Sequence, residues 1–454
     1  MRLLDELFRS QAVEHVLADD SLLLRMLQVE AALASAEAEV GLIPPEAAQQ
    51  IESCCESESL DRKSLSEGAK ASGNLAIPLV KQLTRAVAAN DPEAAKFVHW
   101  GATSQDIIDT AVVLQTREAL SLILAYSWRA NSALRDLTEQ HRNTIMPGRT
   151  WMQHALPITF GLKTANWLSA LHRASMRLAQ VQQEISVLQF GGAAGTLAAL
   201  GNNGARVAEK MAARLRLAVP PTPWHSDRER IAEVATALGI LCATMGKVAH
   251  DIALMTQTEV GELSEPHAEG RGGSSTMPQK QNPVFCAAIL ANVTRVPGLV
   301  STVLAAMIQE HERGLGGWHA EWETIPEILG LTGGAAERIA QLLSGIEIHA
   351  NRMLANIEIS NGLIFAEAVS TALSKKIGKS DAHSIVEAAA TQVRERGKHL
   401  SEVLKATPEV SEHLSATEIA ELFDPQKYLG STQTFIDRVL AECAEPAEVS
   451  RAVR

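Results

Sequence analysis

A loop in the middle of the chain combines small residues with side chains suited to chemistry beside a carboxylate. Its sequence is Gly272-Gly273-Ser274-Ser275-Thr276-Met277-Pro278-Gln279-Lys280-Gln281-Asn282-Pro283. Glycine and serine leave the first half conformationally free, and the two prolines bound a turn that holds Lys280 and Asn282 two residues apart. The loop can therefore bring an ammonium group, an amide and the hydroxyl of Ser275 to one point.

Removing a proton from a carbon next to a carboxylate places a second negative charge on the carboxylate oxygens. The site must supply a base and must stabilise that charge where it develops. Lys280 is a fixed cation for those oxygens, and Asn282 is a neutral donor. Backbone N–H groups of the glycine-rich turn and of a following helix start would add to them. These residue types indicate a reaction through an enolate-like intermediate.

The same loop resembles the signature of the fumarase/aspartase superfamily, Gly-Ser-Ser-x-Met-Pro-x-Lys-x-Asn-Pro, and fills every fixed position of it. Members of that superfamily make or break a bond at the carbon β to a carboxylate. The resemblance implies that Ser275 is the catalytic base and that Ser274 beside it contacts the substrate. A serine hydroxyl is a weak base unless its anion is stabilised, which Lys280 and Asn282 would do.

Two further segments resemble blocks of the superfamily, in the same order along the chain. His99-Trp100-Gly101-Ala102-Thr103-Ser104-Gln105-Asp106 resembles His-x-Gly-x-Thr-Ser-x-Asp, and residues 148–161 resemble Gly-Arg-Thr-His-x-Gln-x-Ala-x-Pro-x-Thr-x-Gly. Thr-Ser-x-Asp offers hydroxyl and N–H groups to a carboxylate at a helix start, with Asp106 as a cap, although alone it is more typical of a plain cap. The resemblance implies substrate binding by His99, Thr103, Ser104, Arg149, Gln153 and His154.

Two positions depart from the superfamily pattern. The second block normally carries, after Gly-Arg-Thr, a histidine that protonates the leaving group, and this chain has Trp151 there. A glutamate normally follows the signature asparagine by five residues and orients that histidine, and the residue here is Ala287. Since both halves of the pair are replaced, we expect a reaction that needs no general acid.

The leaving group explains when a general acid is dispensable. Water or an amine leaves poorly without a proton, whereas a carboxylate, with a pKa of about 4, leaves as a stable anion at pH 7. In one reaction of the superfamily, the leaving group or reverse nucleophile is a carboxylate of 3-carboxy-cis,cis-muconate itself. Bacterial cycloisomerases for that reaction carry Gly-Arg-Thr-Trp. The resemblance therefore implies a cycloisomerase of aromatic catabolism that binds a small tricarboxylate, with Trp151 in the substrate site.

Two other functions remain open from the sequence. An adenylosuccinate-type lyase of the same fold would release fumarate, with His154 standing in for the absent acid. A non-catalytic scaffold, as some crystallins of the superfamily are, would have no need of Ser275, Lys280 and Asn282. The role of His154 is open between substrate binding, proton transfer and structure.

Residues 311–322 bear on the choice of substrate. Adenylosuccinate lyases carry there a Glu-Arg pair, then a serine and a second arginine, for a nucleotide phosphate. Arg313 aligns with the first arginine, and Trp318 and Trp322 fall near the other two positions. Tryptophan cannot bind phosphate as arginine does, so a nucleotide substrate is disfavoured and Arg313 is predicted to bind a carboxylate. The two tryptophans are also consistent with packing in a helix core.

Composition limits the class of protein. The 454 residues are 46% hydrophobic but only 4% aromatic, which is typical of helices packed on helices. The net charge of −12 argues against nucleic acid as a partner. Five cysteines without ligand spacing predict reduced thiols in the cytoplasm, and without a metal motif or phosphate loop neither metal nor cofactor is expected. No signal peptide, and no apolar run near the ~20 residues of a membrane helix, is expected.

Long helices must position the three segments. Apolar and small residues at steps of three and four predict one helix from 106 to about 146. These residues are Leu120, Ile123, Ser127, Ala130, Leu134, Leu137 and His141. Further long helices fit about 156–188, 228–262 and 284–312, and breaks are expected at 41–45 and 90–92. A helix of ~40 residues would be ~60 Å long and must pack against others of its kind.

The predicted fold is all-α, with a central bundle of long helices. An N-terminal helical domain, 1–105, precedes a long-helix bundle with the signature loop, 106–350, and a C-terminal helical domain, 351–454. The superfamily resemblance adds that five long helices from each of four subunits form a twenty-helix core. It implies a homotetramer in which each active site takes loops from three subunits.

Overall fold

The computed structural model describes residues 3–56, 60–268, 270–277 and 279–443. Within these residues it contains 19 α-helices, five short 3-10 helices and four short strands, so the predicted all-α class is confirmed. Pro278 of the signature loop and the last eleven residues of the predicted C-terminal domain lie outside the described residues.

Six helices make up the N-terminal part. The helices are α1 (Asp5–Phe8), α2 (Gln11–Leu17), α3 (Asp19–Val40), α4 (Pro45–Cys55), α5 (Arg62–Ser72) and α6 (Ala76–Asn90), followed by a 3-10 turn at Ala94–Phe97. The chain leaves the helical conformation after α3 and after α6, where the sequence predicted breaks at 41–45 and 90–92. The residue after α3 is Gly41, with a φ of 82° that side chains disfavour. α4 begins at Pro45, because proline at the first helical position sacrifices no hydrogen bond.

The longest elements are five helices in the middle of the chain. In chain order, with one shorter helix among them, they are α7 (Ser104–Gln140), α8 (Phe160–Ile185), the shorter α9 (Gly204–Leu215), α10 (Glu229–Met255), α11 (Val284–Ala306) and α12 (Gly317–Gly345). Six of the seven residues of the predicted seam lie in α7 and are buried, with Leu120, Ile123 and Leu134 each at 0% exposure. The seventh, His141, follows the end of the helix and is half-buried. The sequence analysis had not placed α12.

The stretch between α7 and α8 corrects the predicted helix bounds. Residues 145–159 form a β-hairpin, where the sequence analysis had continued one helix to about 146 and begun the next at about 156. β1 (Ile145–Thr150) pairs antiparallel with β2 (Gln153–Thr159). Pro147 and Pro157 face each other in this hairpin. Because proline lacks an N–H and breaks helix interiors, the two prolines carried the signal for this change.

Seven short helices form the C-terminal part. They are α13 (Ala350–Ile357), α14 (Ala366–Ile377), α15 (Lys379–Arg396), α16 (Leu400–Lys405), α17 (Pro408–Ser411), α18 (Ala416–Leu422) and α19 (Thr432–Glu442). A second small sheet pairs β3 (Leu263–Ser264) with β4 (Glu347–Ile348), just before α13. Buried apolar side chains from α14 to α18 form one cluster, which includes Leu373, Val386, Leu400 and Ile419.

Two compact units divide the chain. The first consists of Met1–Tyr126, Ala174–Ala243 and Ala291–Glu337, and the second of Ser127–Arg173, Thr244–Leu290 and Arg338–Arg454. The boundaries fall inside the five long helices, so each of these helices contributes residues to both units. The division at residues 105 and 350 stays a prediction.

Two of the long helices are apolar enough to cross a membrane by length and composition. α10 and α11 have mean hydropathies of 1.5 and 1.6 over their most apolar windows, which corrects the expectation that no such run exists. The core helix of a soluble protein meets the same criteria. Within the chain, 61% of the α10 window is buried, against 33% of the α11 window. Much of the apolar surface of α11 is therefore uncovered in a single chain.

Within the first unit, a buried ion network joins α7 and α12 to the residue just before α10. Arg228 is 3% exposed, and its Nη1 donates to Asp109 Oδ2 at 2.8 Å and its Nε to Glu321 Oε1 at 3.0 Å. Trp318 donates its indole N–H to Asp109 Oδ1 at 2.9 Å. Charges this far from water stabilise the fold only as a set, because each alone would be uncompensated.

We expect Arg228→Met to lower the free energy of unfolding by about 3–5 kcal/mol, because it leaves two buried carboxylates without their cation. Urea denaturation followed by circular dichroism measures the loss. Lys96→Met is the matched control, since Lys96 pairs with Glu93 on the surface, and we expect it to cost less than about 1 kcal/mol. Equal losses in the two variants would contradict a structural role for the network.

Candidate active site

The His99 block forms a strained turn that leads into α7. His99 has a φ of 59° and Gly101 a φ of 70°, both in the left-handed region. A Cβ on Gly101 would lie 2.5 Å from the Leu200 side chain, so only glycine fits there. Thr103 and Ser104, both predicted to bind substrate, are the residue before α7 and its first residue. They therefore lie at the positive end of the helix dipole, where a carboxylate is stabilised.

Asp106 joins this turn to a second loop of the same unit. Its side chain is fully buried, and Oδ2 accepts hydrogen bonds from the N–H groups of Thr103 at 3.0 Å and Gly192 at 2.9 Å. Oδ1 accepts from the Gly191 N–H at 2.9 Å and lies 2.7 Å from His225 Nε2. The bond from Thr103 confirms the predicted capping, and the other contacts give Asp106 a wider positioning role.

Arg313 and Thr103 meet in the first unit although they are 210 residues apart. Nη2 of Arg313 donates to Thr103 Oγ1 at 2.8 Å and to the carbonyl oxygen of Ala193 at 3.1 Å. The fold thus brings together two of the residues predicted to bind a substrate carboxylate.

The two tryptophans near Arg313 belong to the packing of the first unit. Trp318 is 4% exposed, and its ring meets that of Trp322 edge-on at a centroid distance of 4.8 Å. Helix-core packing, the alternative left open by the sequence, is therefore confirmed for Trp318.

His99 contacts a buried glutamate that the sequence analysis missed. Its Nδ1 lies 2.7 Å from Oε1 of Glu30, which is in α3. The Glu30 side chain is 1% exposed and that of His99 is 20% exposed. Burial alone lowers the pKa of His99, but the charge and hydrogen bond of Glu30, with a contribution from Asp106, raise it above its usual value. Glu30 therefore stabilises the protonated form of His99 relative to a free histidine.

In the second unit, Trp151 and Met152 form the two-residue turn of the β-hairpin. Thr150 pairs with Gln153 across this turn, and the φ angles of Trp151 and Met152 are 50° and 63°. Such turns favour asparagine and glycine, because larger side chains resist a positive φ. Trp151 is 98% exposed. Trp151 and Gln153, both predicted to contact substrate, thus lie at an exposed and strained tip, a combination typical of functional segments.

Arg149 lies in β1, two residues before the turn, and a buried carboxylate holds its side chain. Its Nη1 and Nη2 donate to the two oxygens of Glu262 at 2.8 and 2.6 Å. Glu262 is 0% exposed and also accepts from Asn356 Nδ2 at 2.8 Å. This double hydrogen bond fixes the guanidinium plane. The contact of Arg149 with substrate stays a prediction.

His154 faces Arg149 across the hairpin. Burial, and then the positive charge of Arg149, lower the pKa of His154, against a smaller opposing effect of Glu262. Its imidazole is therefore mostly neutral at pH 7. A neutral imidazole is a poor general acid, which favours the binding alternative for His154 over proton transfer.

The signature loop is closed at its base and exposed at its tip. The carbonyl oxygen of Gly272 accepts hydrogen bonds from the Asn282 backbone at 2.8 Å and side-chain amide at 3.0 Å. Gly272 has a φ of 67°, and a Cβ there would lie 2.6 Å from the Asn282 carbonyl oxygen. Ser274 Oγ accepts from the Met277 N–H at 3.1 Å. Ser275, between these contacts, is exposed.

A second carboxylate fixes the point where this loop meets α11. Glu265 accepts hydrogen bonds from the N–H groups of Phe285 at 3.0 Å and Cys286 at 2.8 Å, in the first turn of the helix. A negative charge at a helix N-terminus satisfies free N–H groups and stabilises the helix dipole. Both ends of the signature loop are therefore anchored.

A pocket of 520 Å³ lies beside the loop within the second unit. Lys280 and Asn282 line it together with His267, Arg271 and His349. Two of the three predicted catalytic residues thus share one cavity with groups that can carry positive charge or donate hydrogen bonds to a carboxylate. Glu265 also lines the cavity, but its carboxylate is engaged by the N–H groups at the start of α11. Among the described residues, Ser275 does not line this pocket.

Several positioning residues escaped the sequence analysis. Glu262 and Glu265 stand just before the signature loop, in a segment that matched no motif. For Glu30 a signal existed, because its helical neighbours three and four residues away are Met26, Leu27, Leu33 and Ala34. A charged residue on such an apolar face must be buried with a partner. No group of three metal-ligating side chains occurs in the part of the chain that the structure describes.

The chain is similar to known enzymes over almost its whole length. The lyase family matches residues 6–298, and the adenylosuccinate lyase C-terminus matches residues 362–439. The 3-carboxy-cis,cis-muconate cycloisomerase of Bradyrhizobium diazoefficiens is 50% identical, over 96% of this chain and 97% of its own. That of Pseudomonas aeruginosa is 48% identical, over 97% and 96%.

A solved structure extends this similarity to three dimensions. The 3-carboxy-cis,cis-muconate lactonizing enzyme from Pseudomonas putida superposes with a TM-score of 0.92 at 44% identity, covering 98% of this chain and 99% of that one. The segments that resemble the superfamily blocks fall within the lyase match. The chain therefore belongs to the lyase family, within the fumarase/aspartase superfamily.

Proposed function

We propose that this chain is a cycloisomerase that converts 3-carboxy-cis,cis-muconate to a carboxymuconolactone in the catabolism of protocatechuate. One observation carries the proposal. This chain is 50% identical to a cycloisomerase. It has Trp151 and Ala287 where the superfamily has the histidine that acts as the acid and the glutamate that orients it. A substrate whose own carboxylate is the nucleophile, or the leaving group in reverse, needs no such acid.

In the lactonising direction, a carboxylate oxygen of the substrate adds to the conjugated double bond and forms the new C–O bond. The electron pair of the double bond moves towards the neighbouring carboxylate, where Lys280 and Asn282 stabilise the enolate-like charge. Ser275 gives its proton to the adjacent carbon and regains one from solvent. Because nucleophile and alkene belong to one molecule, positioning supplies much of the rate enhancement.

The remaining predicted site residues bind and orient the tricarboxylate. Arg313 beside Thr103 and the start of α7 supply donors in the first unit. Arg149 and the neutral His154 supply donors in the second unit. The full binding set is His99, Thr103, Ser104, Arg149, Trp151, Gln153, His154, Ser274 and Arg313.

The proposal includes a cytoplasmic homotetramer whose active sites take segments from three subunits. Exposed apolar side chains on long helices support the assembly, since Met176, Ile240 and Leu304 are 47%, 43% and 46% exposed. The exposed apolar surface of α11 supports it as well. All five cysteines are buried, and none of them forms a disulfide with another described residue, in keeping with a reducing compartment.

The ultraviolet absorbance of 3-carboxy-cis,cis-muconate tests the function directly. Purified protein without added metal or nucleotide should remove the diene band, because ring closure ends the conjugation, and a lactone should be the product. Adenylosuccinate and argininosuccinate should be left unchanged. A persistent diene band with release of fumarate from adenylosuccinate would support the lyase alternative instead.

Ser275→Ala should reduce turnover by about 10²–10⁴-fold, because the proton then has no positioned donor. Thr276→Ala is the matched control, as it removes a hydroxyl from the next exposed residue of the same loop, and it should retain most of the activity. Initial rates of diene loss measure both variants. Similar rates in the two variants would argue against a catalytic role for Ser275. If neither the wild type nor either variant consumes the diene, the scaffold alternative is supported.

Complementation tests the sharing of sites between subunits. Ser275→Ala and Arg313→Ala should each be inactive alone. When they are mixed, unfolded and refolded together, about a quarter of the sites should regain both residues from different subunits. Diene loss by the mixture measures the recovery, and two Ser275→Ala preparations treated identically are the control. No recovery in mixed tetramers would place both residues of a site on one subunit.

A further inference from the structure

The two ring nitrogens of His99 have different surroundings. Nδ1 contacts Glu30, whereas Nε2 has no hydrogen-bond partner among the described residues. The ring is partly open to solvent, at 20% side-chain exposure, and Glu30 behind it is closed off at 1%. Nε2 is therefore the ring nitrogen that a ligand can reach.

The backbone of His99 is held in a conformation that it would not adopt freely. Its φ of 59° lies in the left-handed region, which costs a residue with a side chain on the order of 1–3 kcal/mol. The contact with Glu30 spans 69 residues, so it fixes this ring against a distant helix. Strain that is held by a distant buried partner indicates a position under functional constraint.

Glu30 is the charged group directly bonded to His99. Glu37, two turns further along the same helix, is 0% exposed, and burial followed by the charge of Glu30 raises its pKa to about 9, so it is neutral at pH 7. From α4, the thiol of Cys55 also has its pKa raised by burial and by Glu30, and it too is neutral. Asp106, at the start of α7, acts on His99 more weakly.

We propose that Glu30 is the positioning residue for His99: it anchors Nδ1 so that Nε2 donates a charge-assisted hydrogen bond to a carboxylate of the bound tricarboxylate. This inference rests on the proposed function. Glu30 itself does not reach the substrate, since its side chain is buried beneath the imidazole. A buried carboxylate behind a histidine fixes both the orientation of the ring and the proton on Nδ1. The imidazolium then presents a donor stronger than a neutral ring would.

Glu30→Gln is the discriminating variant, because glutamine keeps the size and the acceptor but removes the charge. We expect KM for 3-carboxy-cis,cis-muconate to rise about tenfold at pH 7.5, with kcat changed by less than about threefold. KM should begin to rise at a lower pH than in the wild type, because His99 then loses its proton earlier. Glu30→Asp, which keeps the charge, should restore part of the wild-type pH dependence.

Glu37→Gln is the matched control. It makes the same substitution in the same helix at a site of equal burial, and it replaces a carboxyl group that is already neutral. We expect neither KM nor its pH dependence to change. A role of Glu30 in stability alone would lower the melting temperature in Glu30→Gln and leave the pH dependence of KM as in the wild type.

The titration of His99 can be followed without turnover. Exchange of its Cε1 hydrogen for deuterium, read by mass spectrometry of the His99 peptide at a series of pH values, gives the midpoint in each variant. A lower midpoint in Glu30→Gln only would support the proposal, and identical midpoints in all variants would overturn it. Failure of the wild type to consume the tricarboxylate would refute the proposed function, and the exchange titration would still test the pairing.

Discussion

A carboxylate out of water is stable as an anion only when a hydrogen-bond donor or a cation lies against it, and the candidate site of this chain depends on that constraint. Four carboxylates, three of them buried and Glu265 half-buried, each fix an irregular segment that carries a candidate functional residue. Moving the segment would separate the carboxylate charge from its donors. Helices and strands satisfy their own backbone groups, whereas the functional turns and loops cannot. The carboxylates and the segments they hold are Glu30 for the His99 turn, Asp106 for the start of α7, Glu262 for Arg149 and Glu265 for the end of the signature loop.

In both the signature loop and the β-hairpin, hydrogen bonds fix the residues at the foot of the segment, whereas the tip is exposed. The signature loop is closed between Gly272 and Asn282, yet Ser275 is exposed. The hairpin is paired up to Thr150, yet Trp151 is almost wholly exposed. Reactive groups on such tips need a surface to close over them, which accords with the proposed sharing of sites between subunits. Because the foot of each segment is fixed, its tip has less conformational freedom. The side chains on the tip therefore need little reorganisation when a substrate binds.

The proposed chemistry uses no separate acid for a leaving group and depends on charge stabilisation around the proton that Ser275 delivers. Trp151 and Ala287 remove the usual proton donor and its partner, and the depressed pKa of His154 leaves that residue mostly neutral. The groups that remain are suited to holding anions, with Lys280 and Asn282 in one pocket and Arg313 beside Thr103. A site of this kind fits a reaction whose difficulty is the charge on an enolate-like intermediate, because an intramolecular carboxylate needs no activation.

The sequence by itself determined the all-α class, the seam of α7 and the signature loop, since each depends on residues close together in the chain, and it favoured the proposed reaction over two alternatives. Tertiary structure decided the approach of Arg313 to Thr103 and the partners of His99 and Arg149. These contacts join positions about 70 to 210 residues apart. Local periodicity and spacing report which face of a helix is buried, but not which distant carboxylate meets it. That choice depends on the packing of whole helices, because only packing removes a charge from water and so requires a partner for it.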